Sequence, residues 1–166
     1  MASTRSSSVS TRPVSGGDRL WSSLVGNDVA FLLARANARS LALANAALGE
    51  YGLKARSYSV LALAAEDTRP TQRELSEFLR LDPSQIVSLV DELQGRGLVV
   101  REPDPNDRRA NVVVGTDAGR ELHRLARDAA QAAEIDSFGS LDAEDRERLT
   151  EMLRVLAADP TESDDS

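Results

Sequence analysis

The side chains in this sequence that are equipped for chemistry are hydrogen-bonding and cationic groups rather than nucleophiles. Cysteine is absent from all 166 residues, which removes disulfides, thiolate catalysis, thiol redox sensing and every cysteine-containing metal site. The single histidine, His123, sits in a charged stretch with Arg120, Glu121 and Arg124 and reads as a surface residue. A Ser-His-Asp triad would have to use that one imidazole, and zinc would need a carboxylate-rich set. The sequence offers no nucleophile–base pair, phosphate loop or metal set, so neither an enzyme nor a cofactor is expected.

Two small groups stand out instead. Ser84, Gln85 and Ser88 lie at i, i+1 and i+4, together on one face of any helix that contains them. Asp107-Arg108-Arg109 lies in a polar, turn-rich segment. Glutamine can pair with two edge atoms of adenine, serine can donate or accept, and guanidinium groups suit phosphate and a narrow minor groove. These residues are suited to recognition and not to bond making.

The net charge of −7 at first argues against a polyanionic partner. It is unevenly placed, however. Residues 1–135 balance 17 basic against 17 acidic residues, with Lys54 the only lysine, and residues 136–166 set Arg146, Arg148 and Arg154 against ten acids. Within residues 68–111, seven arginines face eight acids, so binding there must rest on placement and not on bulk charge. An apolar fraction of 41% with 28% charged residues is that of a folded domain. Aromatic residues are scarce, so alanine and leucine must fill the interior, which favours closely packed helices. No run approaches 18 apolar residues, and MASTRSSSVSTRPVSGG has no apolar leader stretch, so the expected location is cytoplasmic with no membrane contact.

The elements that would position these groups can be read from capping and periodicity. Residues 1–17 read as a flexible arm, with Arg5 and Arg12 as its only basic groups. Apolar residues recur at helical spacing from Asp18 to about Leu48, through Leu20, Leu24, Val25, Val29, Leu32, Leu33 and Ala36, with no proline. Gly49 and Gly52 stop that helix, and Lys54 to Ala65 is a second, with Tyr58, Leu61 and Ala62 on its stripe. Thr71 and Glu74 form a capping box for a short helix with the stripe Leu75, Phe78 and Leu79. Asp82, Pro83 and Gln85 start the next, whose buried stripe is Ile86, Leu89, Val90 and Leu93 and which ends at Gly95 and Gly97. Two short capped helices with so tight a turn read as helix-turn-helix. Leu98–Arg101 and Asn111–Val114 are β-branched runs around a polar tip and form a hairpin, or wing. Thr116 to about Ser137 is a long helix with Leu122, Leu125, Ala126, Ala129 and Ala133 on one face. Leu141 to Ala158 is the last helix.

This order resembles the MarR family of winged helix-turn-helix transcription regulators. The resemblance rests on Arg73-Glu-Leu-Ser-Glu-Phe-Leu79, on Ser84 through Val99, on Arg101-Glu-Pro-Asp-Pro-Asn-Asp-Arg-Arg109 and on Thr116-Asp-Ala-Gly119, and it covers about residues 18–158. One departure is Gly115, where the family usually has leucine before the threonine; loosening of the end of the wing strand is the expected effect. The resemblance implies a mainly α (α+β) fold, with a winged helix-turn-helix at 53–115 inside a single domain at 18–158. Residues 18–50 and 116–158 then supply N- and C-terminal dimerisation helices, and 159–166 is an acidic disordered tail.

It further implies a sequence-specific DNA-binding regulator, a repressor, acting as a homodimer on a palindromic operator in double-stranded DNA. Ser84, Gln85 and Ser88 become the base-facing residues, with capping as a competing role for Gln85. Arg73 and Arg80 become phosphate contacts. In the family the matching Asp-x-Arg holds the wing, so Asp107 orients and Arg109, with Arg108, meets the minor groove. Leu20, Trp21, Leu24, Leu149, Met152, Leu153 and Leu156 are expected in the dimer core, with an effector pocket as the lesser role for Trp21. Many relatives bind small aromatic or anionic molecules; Arg35, Arg39 and Arg56 are candidates for such an effector, although solvated helix faces explain them equally. A second reading stays open, an interaction protein that keeps the fold without binding DNA. It rests on the acidic C-terminal segment and on a recognition helix that has no cation before Arg96 and carries Asp91 and Glu92.

Overall fold

The computed structural model describes residues 18–66, 68–105, 107 and 109–158. The expected arm at 1–17, the tail at 159–166 and Arg108 lie outside the described residues. The described chain divides into two bodies, one ending at Ala38 and one starting at Arg39, and each is described by itself.

In the first body, the uninterrupted helix expected from Asp18 is broken. Helix α1 is a single turn, Asp18–Trp21, and a 3-10 turn at Val25–Asn27 precedes α2, Val29–Leu48. Local chemistry explains the break. The Ser23 hydroxyl donates to the Leu20 carbonyl at 2.6 Å and accepts the Gly26 N–H at 3.2 Å, folding the chain back on itself. A β-carbon on Gly26 would lie 2.4 Å from the Trp21 carbonyl oxygen, so only glycine fits that approach. Asp28 then opens α2 by accepting the Phe31 N–H at 2.8 Å.

The second body is a winged helix-turn-helix with two further helices. Helix α3 spans Ala55–Ala65, α4 Gln72–Leu79 and α5 Pro83–Gly95; strands β1, Val99–Pro103, and β2, Asn111–Gly115, follow; α6 spans Asp117–Ser137 and α7 Ala143–Ala157. The strands pair antiparallel, Val99 opposite Gly115 and Pro103 opposite Asn111. Beyond this hairpin, the Val113 N–H donates to the Pro70 carbonyl at 2.8 Å and Thr71 bridges to Val112, so the segment before α4 adds a short third edge.

The core is aliphatic, as the shortage of aromatics requires. Val60, Leu61 and Ala64 of α3, Leu75 of α4, and Ile86, Val90 and Leu93 of α5 are buried together with Leu48, Leu53, Val99, Val113 and Ala126. Burying a leucine- or valine-sized side chain is worth about 1.5–3 kcal/mol, which makes this cluster the main source of stability. Leu89 and Leu79 are half-buried, as stripe edges are.

Three expectations change. Phe78, placed by its spacing on the buried stripe of α4, is 74% exposed. An eight-residue helix buries a narrow stripe, and Leu75 and Leu79, four apart, occupy it. His123 is half-buried and not a surface residue, its ring centroid 5.6 Å from that of Tyr58. Gly115 does not loosen the wing: it is buried and closes the ladder opposite Val99. A β-carbon there would stand 2.9 Å from the Ala65 Cα, so glycine lets the strand end lie against α3.

The tightest joint is at the start of α6. Thr116 caps the helix by accepting the Gly119 N–H at 3.0 Å, and its hydroxyl donates to the Gly97 carbonyl at 2.7 Å. A β-carbon on Gly119 would fall 1.9 Å from the Leu98 carbonyl oxygen. Gly119→Ala should therefore force α6 away from β1 and destabilise the protein by about 3 kcal/mol, the upper end for overpacking. A urea midpoint equal to that of the unsubstituted protein would refute this contact.

Candidate nucleic-acid interface

Helix α5 is oriented by its own apolar stripe. With Ile86, Val90 and Leu93 inward, Ser84, Gln85 and Ser88 face solvent together. The turn before it, Arg80–Asp82, requires Arg80 to adopt φ +51°, a left-handed conformation that costs a non-glycine residue about 1 kcal/mol. The Leu81 N–H donates to the Ser76 carbonyl at 3.1 Å and the Ser76 hydroxyl to the Leu81 carbonyl at 2.6 Å, so both ends of the turn are fixed.

The capping box expected of Thr71 and Glu74 is present: the Thr71 oxygen accepts the Glu74 N–H at 3.2 Å, and the Glu74 carboxylate accepts the Thr71 N–H at 2.6 Å. At the second helix, Asp82 closes on Ser84 instead of on Gln85, accepting the Ser84 N–H at 2.8 Å and its hydroxyl at 2.5 Å. These two donations, the hydroxyl's first, hold the Asp82 carboxyl below the usual carboxylate range. Gln85 is exposed beside them.

The arginines sort into two groups. Arg101 is one that sequence reasoning left without a role. From β1 its guanidinium donates to Gln72 Oε1 at 2.6 Å, to Gln94 Oε1 at 2.7 Å and to Asp91 Oδ1 at 2.7 Å. It thereby ties the wing to the start of α4 and to the outer face of α5. Asp91, which in the sequence looks like a repulsive charge beside Ser84, Gln85 and Ser88, is paired by this contact. The only signal in the sequence was the coincidence of a strand arginine with Asp91 and Gln94 one turn apart. Arg96 donates to the Gly52 and Tyr51 carbonyls at 2.7 and 3.1 Å, and Arg69 pairs with Glu102 at 2.6 Å. These three arginines hold the reading head together.

The other group projects outward. Arg73 is 86% exposed and pairs with Glu77 one turn along α4, which raises its pKa further above the ordinary arginine value. Arg80 is exposed at the turn. At the wing tip, Asp107 accepts the Arg109 N–H at 3.0 Å and stands 3.6 Å from its Nε, while the Arg109 side chain is 93% exposed. Asp107 thus braces the backbone and leaves the guanidinium in solvent.

Two further features bear on a ligand. A cavity of about 700 Å³ is lined by Leu41, Leu53, Lys54, Arg56, Leu89 and Glu92, which combines cations with apolar walls. Burial of Tyr58 beside His123 raises its pKa, an effect opposed by the charge of Arg127. In the first body, the Arg35 guanidinium lies 5.0 Å over the Trp21 ring. The residues expected in a dimer core are open to solvent: Leu20 and Leu24 at 72% and 94%, Met152 and Leu156 at 52% and 72%. Trp21 is exposed, and Leu149 and Leu153 are half-buried in a groove with Ile135 and Phe138. Among the described residues no cluster of metal-ligating side chains occurs, and no helix is long and apolar enough to cross a membrane.

Comparison with known proteins places this geometry. A profile of the MarR family matches residues 51–110. The transcriptional repressor NicR of Pseudomonas putida is 30% identical over 133 residues, 80% of this chain and 84% of that one. A MarR family transcriptional regulator from Rhodococcus sp. RHA1 superposes with a TM-score of 0.74 at 39% identity, covering 82% of this chain and 97% of that one. CouR from Rhodococcus jostii RHA1, solved with p-coumaroyl-CoA bound, gives a TM-score of 0.75 at 36% identity over 84% of this chain and 98% of its own.

The Arg101 contacts make a prediction of their own. Arg101→Ala should cost about 1–2 kcal/mol of stability, because three acceptors lose a charged donor while still reaching water. Its larger effect should be local, as faster amide hydrogen exchange across residues 99–115. Unchanged exchange in the wing would show that the hairpin is held without the clamp.

Proposed function

The chain belongs to the MarR family of winged helix-turn-helix transcription regulators, and within that family we propose that it acts as a repressor, a homodimer on a palindromic operator that a small aromatic or anionic effector releases. The observation that carries DNA binding is the pairing of two outward surfaces on one braced unit: the Ser84-Gln85-Ser88 face of α5 and the Asp107-held Arg109 of the wing. Recognition helices place their first turns against base edges in the major groove, and a guanidinium suits the negative potential of a narrow minor groove. Arg73 and Arg80 then meet phosphates, which fix register without reading sequence. Arg108 is assigned to the wing contact from its sequence position alone.

With few outward cations per chain, one copy has little hold on DNA. Two copies related by a two-fold axis read half-sites about 34 Å apart, one helical turn. The exposed Leu20, Trp21 and Leu24 of the first body, and Met152 and Leu156 with the half-buried Leu149 and Leu153 of the second, support a second copy covering them, since clustered exposed apolar side chains mark interaction surfaces. For the effector, the cavity beside Lys54 and Arg56 has the right character, and CouR offers the precedent of an anionic aromatic thioester.

Arg109→Ala should weaken operator binding by about 1–3 kcal/mol and leave the melting temperature unchanged. A gel shift with the upstream region of the protein's own gene at two salt concentrations checks this. Binding should show a salt slope of several phosphates and weak affinity for unrelated DNA. No binding at either salt would favour the interaction-protein reading, and unchanged affinity in the variant would remove Arg109 from the interface. Sedimentation at micromolar concentration should show a dimer; a monomer would reject the shared interface.

A further inference from the structure

A serine hydroxyl has one proton to donate. Ser84 Oγ lies 2.5 Å from Asp82 Oδ1, and an ionised carboxylate only accepts, so the proton must point at Asp82. The Ser84 N–H is directed at the same oxygen. What Ser84 presents to solvent is therefore a pair of lone pairs with no hydrogen. A group so arranged cannot donate to a phosphate oxygen.

Resting on the DNA-binding reading above, we propose that Asp82 is a positioning residue that fixes Ser84 as a hydrogen-bond acceptor. Ser84 then selects a base that donates in the major groove, adenine through N6 or cytosine through N4, and rejects guanine and thymine on the contacted strand. The groove code makes this choice sharp: guanine shows only N7 and O6 acceptors there, and thymine an O4 acceptor and a methyl group. Either would place acceptor against acceptor.

The neighbouring positions are not locked in this way. The Ser88 hydroxyl donates to the Ser84 carbonyl at 3.0 Å, a neutral bond. A charge-assisted bond such as that of Ser84 is roughly twice as strong, so Ser88 can turn its proton to the duplex more readily. Gln85 carries both donor and acceptor. Of the three outward residues, Ser84 is the one whose polarity the fold has already decided.

The test is a selection from randomised duplexes with the full-length protein, followed by titration of all four base pairs at the position whose preference Ser84→Ala erases. The unsubstituted protein should favour adenine or cytosine there by roughly five- to tenfold. Asp82→Gly keeps a tolerated N-cap residue but removes the oxygen that accepts the Ser84 hydroxyl, freeing the serine proton. Its preference should collapse to within about twofold or turn toward guanine and thymine, while the Asp82→Gly/Ser84→Ala double variant matches Ser84→Ala. The ratio among bases is the readout, because removing the Asp82 charge raises affinity for every sequence alike.

If Asp82→Gly does not fold, duplexes with purine in place of adenine or 2-pyrimidinone in place of cytosine, both lacking the amine, should lose the same factor with the unsubstituted protein and nothing further with Ser84→Ala. Three results would overturn the assignment: a native preference for guanine or thymine, an Asp82→Gly ratio equal to the native one, or no position sensitive to Ser84→Ala. Failure to select any duplex would instead remove the DNA-binding reading on which the assignment stands.

Discussion

A single guanidinium ties the wing of this protein to both helices of the helix-turn-helix. Arg101 reaches from β1 to acceptors on α4 and on α5, adding a charged clamp to the backbone bonds that Pro70 and Thr71 make with β2. A hairpin of two five-residue strands has little stability alone. Its position relative to α5 must be imposed, and a planar fork with five donors imposes it in both distance and angle. The Arg101 side chain is 24% exposed, which limits competition from water and salt.

Around that brace, the second body gains closeness from missing side chains. Gly115 and Gly119 stand where a strand end meets α3 and where α6 meets the chain leaving α5, and at both places backbone lies against backbone. The interior between them is filled by valine, leucine and alanine, which pack without unsatisfied polar atoms: among the described residues no buried side-chain nitrogen or oxygen lacks a partner. Ser57, the one buried polar residue among those described, closes both its bonds on the Lys54 backbone and caps α3 in doing so. The polar chemistry is thus kept at helix ends and on the outward faces.

The features legible in the sequence are those whose cause is local. Thr71 with Glu74, and Asp82 with Pro83, mark helix starts because the capping groups lie within three residues of what they cap. The stripe Ile86, Val90 and Leu93 fixes which face of α5 is outward, and its spacing alone puts Ser84, Gln85 and Ser88 on the solvent side. Features with distant causes were not legible. Arg101 finds partners 29, 10 and 7 residues away in sequence, and nothing about an arginine in a strand announces them. The break before α2 depends on Gly26 lying against the Trp21 carbonyl, which helical spacing alone does not reveal. His123 looks like a surface residue among its charged neighbours until Tyr58 is brought beside it by the packing of α3 on α6. Spacing shows which residues share a face, and packing decides what that face meets.

Where α6 begins, no side chain lies between Gly119 and the Leu98 carbonyl, and Thr116 locks the same two segments together from the other side. Side chains are the compressible part of a protein interior, able to change rotamer and absorb a displacement; backbone pressed on backbone is not. This joint therefore has no backlash. A small rotation of α6, from whatever source, arrives at the root of the wing as motion and is not dissipated as repacking, so the helix and the hairpin work as the two arms of one lever.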